Sequence, residues 1–138
     1  MYLLDTNACI QFLRDADSAV ALKLATVDIQ EVALCAVVKA ELYYGARRSA
    51  DPDHSWRVLK SFFARLTSWP FDDEAAEVYG DIRAHLSRDG TSIGPNVRQM
   101  SHLLLVAAIT VARQATLVTH NTREFARVPG LQWVDWEA

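Results

Sequence analysis

Short apolar segments of strand length alternate along this chain with longer segments of helical character. Residues 1–4, 31–35, 115–119 and 131–134 are compact apolar runs, and each of the first three precedes a segment that predicts a helix or helical turn. Strands separated by helices favour a parallel sheet, because each connection must cross the sheet and such crossovers are right-handed. The pattern predicts an α/β domain with three layers, in which a central parallel sheet lies between helices.

The predicted helices begin at capping residues or keep one apolar face. They are residues 8–14, 18–24, 37–47, a helix through 56–66, one from Asp72 or Asp73 to the turn at Asp89 and Gly90, and 100–113, followed by a turn at 121–125. Trp56, Leu59 and Phe63 lie at helical spacing, which is typical of core or of an interface for a dimer or another partner. Residues 66–71 are interpreted as a link between two helices.

Length and composition limit the class of protein. A chain of 138 residues fits one domain, residues 1–138, and no apolar run approaches the ~20 residues of a membrane span. The opening MYLLDTN differs from a secretory signal, so we expect a cytoplasmic protein with no membrane contact. Cys9 and Cys35 lie among apolar residues without metal-binding spacing, which predicts two buried thiols. The net charge of -3 means that nucleic acid would need a local basic patch.

Oxygen-bearing side chains stand near the ends of the predicted strands. Asp5 follows the first strand, Asn121 follows the strand at 115–119, and Glu41 lies in the second turn of the helix after the second strand. Ligands of open parallel sheets bind beyond the carboxyl ends of the strands. The three residues are therefore predicted to face one crevice.

Each of these residues also has a purely structural interpretation. Asp5 is a natural cap for the first helix, and Asn121 is suited to a cap or turn. Glu41 can be a solvated helix residue or can pair with Lys39 or Arg47. Taken singly, these alternatives are favoured, and only the combination of the three points to a site.

Four segments carry a resemblance to a known family. They are LLDTN (3–7), KAELYYG (39–45), AAEVYGDIRAHLSRDGTSIGP (75–95) and ATLVTHNTREFARVPGLQWVDW (115–136). In this order, and over nearly the whole chain, they resemble the PIN-domain ribonucleases, specifically the VapC toxins of bacterial toxin–antitoxin pairs. The resemblance implies a compact α/β/α domain, commonly a homodimer, that cleaves RNA with Mg²⁺ or Mn²⁺ and is restrained by a co-produced antitoxin.

The resemblance also assigns roles to single residues. Asp5 and Glu41 match the first two acidic metal ligands, and together with Asn121 they form the implied catalytic set. The other matched polar residues would orient a ligand, bind through water or cap a helix: Thr6, Asn7, Thr119, His120 and Glu124. Glu124 can instead pair with Arg123 or Arg127. Carboxylates suit Mg²⁺, which prefers oxygen ligands, and divalent ions promote phosphodiester hydrolysis.

One acidic residue of the family pattern is missing from this chain. The pattern places an acid shortly after IGP, yet counting forwards leads to Val97 and counting back from Ala107 leads to Leu103. The extra residues are predicted to form a loop or an added turn before Leu103. His102 could bind a softer ion such as Mn²⁺, although an ordinary exposed or hydrogen-bonded histidine is the favoured interpretation.

Two functional hypotheses follow. The first is a divalent-metal-dependent endoribonuclease toxin that hydrolyses RNA at an acidic crevice and is inhibited by its cognate antitoxin. The second is a catalytically weakened PIN domain that acts mainly by binding antitoxin or RNA, because its third acidic ligand is missing. A flap-type DNA nuclease is disfavoured because the extra loops of such enzymes are absent from the sequence.

Overall fold

The computed structural model describes residues 1–88 and 97–138, with residues 97–100 as helical backbone only. The strands are β1 (Tyr2–Leu4), β2 (Val32–Cys35), β3 (Thr67–Trp69), β4 (Thr116–Val118) and β5 (Gln132–Val134). The helices are α1 (Thr6–Arg14), α2 (Ala19–Leu24), α3 (Ala36–Arg47), α4 (Pro52–Phe63), α5 (Asp73–Arg88), α6 (Val97–Ala112) and α7 (Thr122–Phe125), with a 3₁₀ turn at Ile29–Glu31.

The five strands form one parallel sheet in the order β3-β2-β1-β4-β5. In the middle of the sheet, Leu3 of β1 lies between Ala33 of β2 and Leu117 of β4. The predicted α/β fold with a central parallel sheet is confirmed. The chain order reverses between β1 and β4, and in sheets of this kind a ligand crevice opens at such a point.

The inner strands are buried on both faces. All four residues of β2 are buried, as are Leu3 and Leu4 of β1, so helices cover both sides of the sheet. Cys9 and Cys35 are buried free thiols, as predicted, and burial raises the pKa of both.

Among the described helices, none combines the length and the apolar character that crossing a lipid bilayer requires.

Four predicted boundaries or elements were wrong, and one of them is the helix through residues 56–66, which is α4 and ends at Phe63. The link at residues 66–71 contains the edge strand β3, whose Trp69 is buried and lies opposite Cys35. A three-residue strand with two exposed positions has no alternation that could reveal it. Helix α1 begins at Thr6 rather than residue 8, and α6 begins at Val97 rather than residue 100. The predicted turn at 89–90 lies outside the described residues.

The apolar stripe of α4 packs inside the domain. The centre of the Tyr43 ring of α3 lies 4.2 Å from that of Trp56 and 5.1 Å from that of Phe63. Leu59, which lies on the same face of α4, is buried. This face of α4 therefore packs against α3. The alternative that the stripe is an interface for a partner loses its main support.

Candidate active site

Asp5 lies between β1 and α1 and performs the predicted capping role. Its Oδ1 accepts a hydrogen bond of 2.8 Å from the Ala8 N–H, and its own N–H donates to the Val118 carbonyl at 3.1 Å. The second bond ties the end of β1 to the end of β4, where the chain order reverses. The residue is only 7% exposed. Asp5 therefore caps helix α1 and at the same time lies at the crevice.

Burial makes the charge of Asp5 costly. Desolvation raises the pKa of Asp5, while hydrogen bonds from the Thr119 hydroxyl and the Ala8 N–H oppose that rise, and the negative charges of Glu137 and Glu41 add to it. Protonated His120, whose own pKa the charge of Asp5 helps to raise, offsets this cost only from the exposed rim of the crevice. This environment favours either a proton or a cation at Asp5.

Glu41 reaches the same crevice from the second turn of α3, as predicted. Its Oε2 accepts a hydrogen bond of 2.7 Å from the Thr6 hydroxyl, which stands directly after Asp5. The alternative partner Arg47 instead lies 3.5 Å from Asp53. Thr6 thus links the two predicted metal ligands, because it belongs to the turn of Asp5 and orients the carboxylate of Glu41.

His102 of α6 also faces Glu41. Its Nε2 lies 2.9 Å from Glu41 Oε1, and its side chain is 23% exposed. The two groups are not aligned for a hydrogen bond, so Nε2 is buried without a hydrogen-bonding partner among the residues that the structure describes. His102 therefore meets the favoured interpretation only in part, because the half-buried side chain forms an ion pair with Glu41 when protonated but no aligned hydrogen bond. An unsatisfied ring nitrogen beside a carboxylate is suited to a metal ion.

The phase of α6 selects His102 over Leu103, one of the two positions that counting suggested. Leu103 packs against the hydrophobic core, and the side chain of Val97 lies outside the described residues. Because α6 begins at Val97, the extra residues extend the helix, which agrees with the predicted added turn. In this chain, an imidazole occupies the part of α6 that faces Glu41.

The loop after β4 brings polar residues to the other side of Asp5. Thr119 is buried, and its Oγ1 accepts a hydrogen bond of 2.9 Å from the N–H of Asn121. Asn121 stands at the N-cap of α7, yet its side chain forms no capping hydrogen bond to any described residue. Thr119 therefore orients Asp5, and the side chain of Asn121 is not used as a cap.

The remaining supporting residues divide between the crevice and its surroundings. Thr6 belongs to the crevice through its bond to Glu41, whereas Asn7 is exposed on α1. Glu124 lies 3.9 Å from Arg127 on the same short segment, which is the pairing that the sequence left open. Participation of Asn7 or Glu124 in a metal site has no support from these contacts.

A second polar group lies beside Asp5 and was not predicted. His120 follows β4, and Asp135 and Glu137 follow the neighbouring strand β5. His120 Nδ1 lies 2.9 Å from Asp135 Oδ2 and 3.9 Å from Glu137 Oε2. The hydrogen bond with Asp135, together with both negative charges, raises the pKa of His120. Applying the strand-end rule to the last strand would have identified the two acids.

A groove runs along the crevice on the α3 side. It has a volume of about 440 Å³ and is lined by Glu41, His102 and exposed Tyr44, with three small apolar residues: Ala36, Val37 and Ala40. The Arg48 guanidinium lies 5.4 Å from the centre of the Tyr44 ring. The groove therefore joins an aromatic face and a basic side chain to the carboxylate of Glu41.

Comparison with known proteins agrees with this geometry. The family described as PIN domain matches residues 2–131. The tRNA(fMet)-specific endonuclease VapC of Salmonella typhimurium is 32% identical over 135 residues, which are 98% of this chain and 97% of that protein. Ribonuclease VapC2 of Rickettsia felis is 33% identical over 138 residues, covering 99% and 98% of the two chains. The solved structure of DNA-bound VapBC from Salmonella typhimurium has a TM-score of 0.86 at 32% identity, covering 98% of this chain and 97% of that one. This chain belongs to the PIN-domain family, among the VapC ribonucleases.

Proposed function

We propose that this protein is a divalent-metal-dependent endoribonuclease that acts as the toxin of a toxin–antitoxin pair. The observation that carries the proposal is the meeting of Asp5 and Glu41 at the crevice where the sheet order reverses, with Thr6 bonded between their segments. Relatives named as a tRNA(fMet)-specific endonuclease and a ribonuclease support the choice of RNA as substrate.

The donor groups of the crevice fit a divalent cation. Asp5 is a buried carboxylate whose pKa is raised mainly by desolvation, and Glu41 supplies a second carboxylate held by Thr6. Oxygen ligands suit both Mg²⁺ and Mn²⁺, whereas the unsatisfied Nε2 of His102 suits Mn²⁺ better than Mg²⁺. We therefore assign the ion to Asp5 and Glu41, with His102 favouring manganese.

The residues of the chain contribute binding and orientation. When bound, a divalent ion lowers the pKa of water and stabilises negative charge on the phosphate during hydrolysis. Asp5 is held in place by the N–H of Ala8 and by the Thr119 hydroxyl, and Glu41 by Thr6. Asn121 stands at the edge of the same crevice with its amide unused as a cap, where it can bind a phosphate oxygen or a water.

The proposed protein partner is a cognate antitoxin. The solved VapBC structures from Salmonella typhimurium and Rickettsia felis, each of which aligns with 98% of this chain, are both DNA-bound assemblies of the toxin–antitoxin type. Formation of a homodimer stays a prediction, which sedimentation of the purified protein measures directly.

The decisive experiment is RNA cleavage by the purified protein. We expect cleavage of a structured RNA such as an initiator tRNA with Mn²⁺ or Mg²⁺, full loss with EDTA, and loss of at least ~100-fold with Asp5→Asn. Asp51→Asn is the matched control, because Asp51 also caps a helix but is exposed. Equal cleavage by Asp5→Asn and the parent protein would refute the mechanism.

The binding-only alternative makes the opposite prediction in the same assay. The names of the relatives favour a nuclease. A protein that binds RNA or antitoxin but cuts no RNA with either ion would establish the alternative.

A further inference from the structure

The polar group after β4 and β5 is separate from the pair of Asp5 and Glu41. We call it the β4–β5 cluster, and it consists of His120, Asp135 and Glu137. In the described part of the chain, these are the three His, Cys, Asp or Glu residues whose ligand atoms all lie within 4.8 Å of one another. Asp5, Glu41 and His102 do not form such a group.

The distances within the β4–β5 cluster match those around a metal ion. His120 Nδ1 is 2.9 Å from Asp135 Oδ2 and 3.9 Å from Glu137 Oε2. Ions bound at about 2.1 Å from each ligand hold neighbouring ligand atoms about 3 to 4 Å apart. A cation can therefore enter this cluster without large movement of the backbone.

The fold holds these three residues in place. The N–H of Thr119 donates to the Val134 carbonyl at 3.0 Å, which sets His120 opposite the residue that follows β5. Trp136, between the two acids in sequence, packs its ring 5.3 Å from the Tyr2 ring. The Glu137 N–H donates to Asp135 Oδ1 at 2.9 Å. The tail is thus anchored by an aromatic contact while its two carboxylates stay on the side of His120.

The chemistry of the donors selects the kind of ion. One imidazole and two carboxylates suit Zn²⁺ or Mn²⁺, whereas Mg²⁺ disfavours a nitrogen ligand. The side chain of His120 is 63% exposed, so an ion from solvent can reach the cluster. Binding would replace the proton that now lies between His120 Nδ1 and Asp135, and the carboxylates would balance the charge of the ion.

We propose that the β4–β5 cluster is a binding site for a transition-metal ion of the Zn²⁺ or Mn²⁺ class, distinct from the site of Asp5 and Glu41. The purely structural alternative is an ion pair between protonated His120 and the two acids, which would only hold the segment after β5 in place. Both alternatives share the same contacts, so measurement of metal binding decides between them.

The test titrates Zn²⁺ into the full chain carrying Asp5→Asn, which removes a ligand of the first site. Calorimetry should show one saturable Zn²⁺ site, and the NMR signals of the His120 imidazole should shift as that site fills. Adding His120→Gln or Glu137→Gln to this background should weaken the affinity by at least ~10-fold. His54→Gln is the matched control, since His54 is exposed on α4 outside the β4–β5 cluster.

Each outcome bears on the site alone, because no RNA cleavage is measured. Loss of affinity in both cluster variants with retention in His54→Gln supports the proposal. The proposal is overturned if no saturable binding is seen, or if His120→Gln or Glu137→Gln leaves the affinity for Zn²⁺ the same as in the Asp5→Asn protein. The ion-pair alternative then remains. Failure of RNA cleavage in the parent protein would refute the proposed nuclease without affecting this result.

Discussion

Carboxylates lie on both sides of the crevice, but their surroundings differ. The α3 side contains Asp5 and Glu41, and the β5 side contains the β4–β5 cluster. On the α3 side, Asp5 is buried, and desolvation raises its pKa. On the β5 side, the largely exposed His120 has a raised pKa because Asp135 and Glu137 stabilise its positive charge. Desolvation thus dominates at Asp5, while His120 and the two acids of the β4–β5 cluster already neutralise one another in part. A cation would gain more from the first arrangement than from the second.

This difference assigns different tasks to the two sides. A buried carboxylate whose negative charge is poorly solvated retains strong attraction for a cation, which is what a catalytic ion site needs. The acids of the β4–β5 cluster are already paired with His120, and Glu137 acts on Asp5 through its negative charge. We therefore expect substitutions on the α3 side to affect cleavage more strongly than equivalent substitutions on the β5 side.

The largest expected effect comes from paired substitutions of glutamate. Glu41→Gln should lower the rate of RNA cleavage by at least ~100-fold, because it removes a charged ligand beside the reacting phosphate. Glu137→Gln should lower the same rate by less than ~10-fold. Glu77→Gln, at an exposed position of α5, controls for the loss of one negative charge. Single-turnover kinetics at fixed Mn²⁺ provides the measurement. An equal loss in both cleft variants would remove the distinction between the two sides.

A second, intermediate effect concerns the choice of metal. His102→Asp should raise the ratio of Mg²⁺-supported to Mn²⁺-supported cleavage by about 10-fold, because a third oxygen ligand suits Mg²⁺ better than imidazole. Titration of each ion against cleavage rate, and calorimetry of ion binding without RNA, report the change.

Leu103→Asp provides the contrast for this substitution. It should unfold the protein rather than change the preference for metal, since Leu103 packs against the core. A change in metal preference with Leu103→Asp alone would show that the assignment of His102 is wrong.

The smallest expected effect is a gain in stability. Burial raises the pKa of Asp5 above 3.8, so just above that pH the folded state keeps a proton that the unfolded chain has lost. Stability therefore falls as pH rises through the window between 3.8 and the raised value. Asp5→Asn keeps the acceptor for Ala8 without the charge, and should raise the free energy of unfolding at pH 7 by ~1 kcal/mol.

Urea denaturation in EDTA measures this gain, with Asp51→Asn as the exposed capping control. The advantage of Asp5→Asn should shrink as the pH is lowered towards 3.8, because Asp5 then becomes protonated in both states. Lower stability of Asp5→Asn at neutral pH would contradict the cost that we assign to its buried charge.

The sequence led to part of the site because of a simple topological rule. Asp5 and Glu41 were identified from their positions after parallel strands, and the structure brings both to one crevice, joined by Thr6. His102 was judged ordinary because the phase of a helix cannot be known before its first residue is known. Asp135 and Glu137 follow the last strand as Asp5 follows the first, so the same rule reaches them, but the sequence does not show that β5 lies beside β4 and its His120.

The sequence by itself determined the parallel α/β architecture and the edge of the sheet where polar side chains collect, since alternating strands and helices allow few topologies. Only the tertiary structure decided which side chain of α6 meets Glu41, because each residue turns a helix by about 100° and packing of the buried face of α6, which includes Leu104 and Ala108, sets that angle. It also decided that β4 and β5 are neighbours, which brings His120 to the acids of the tail. Such pairings depend on packing between distant segments, and local sequence does not encode them.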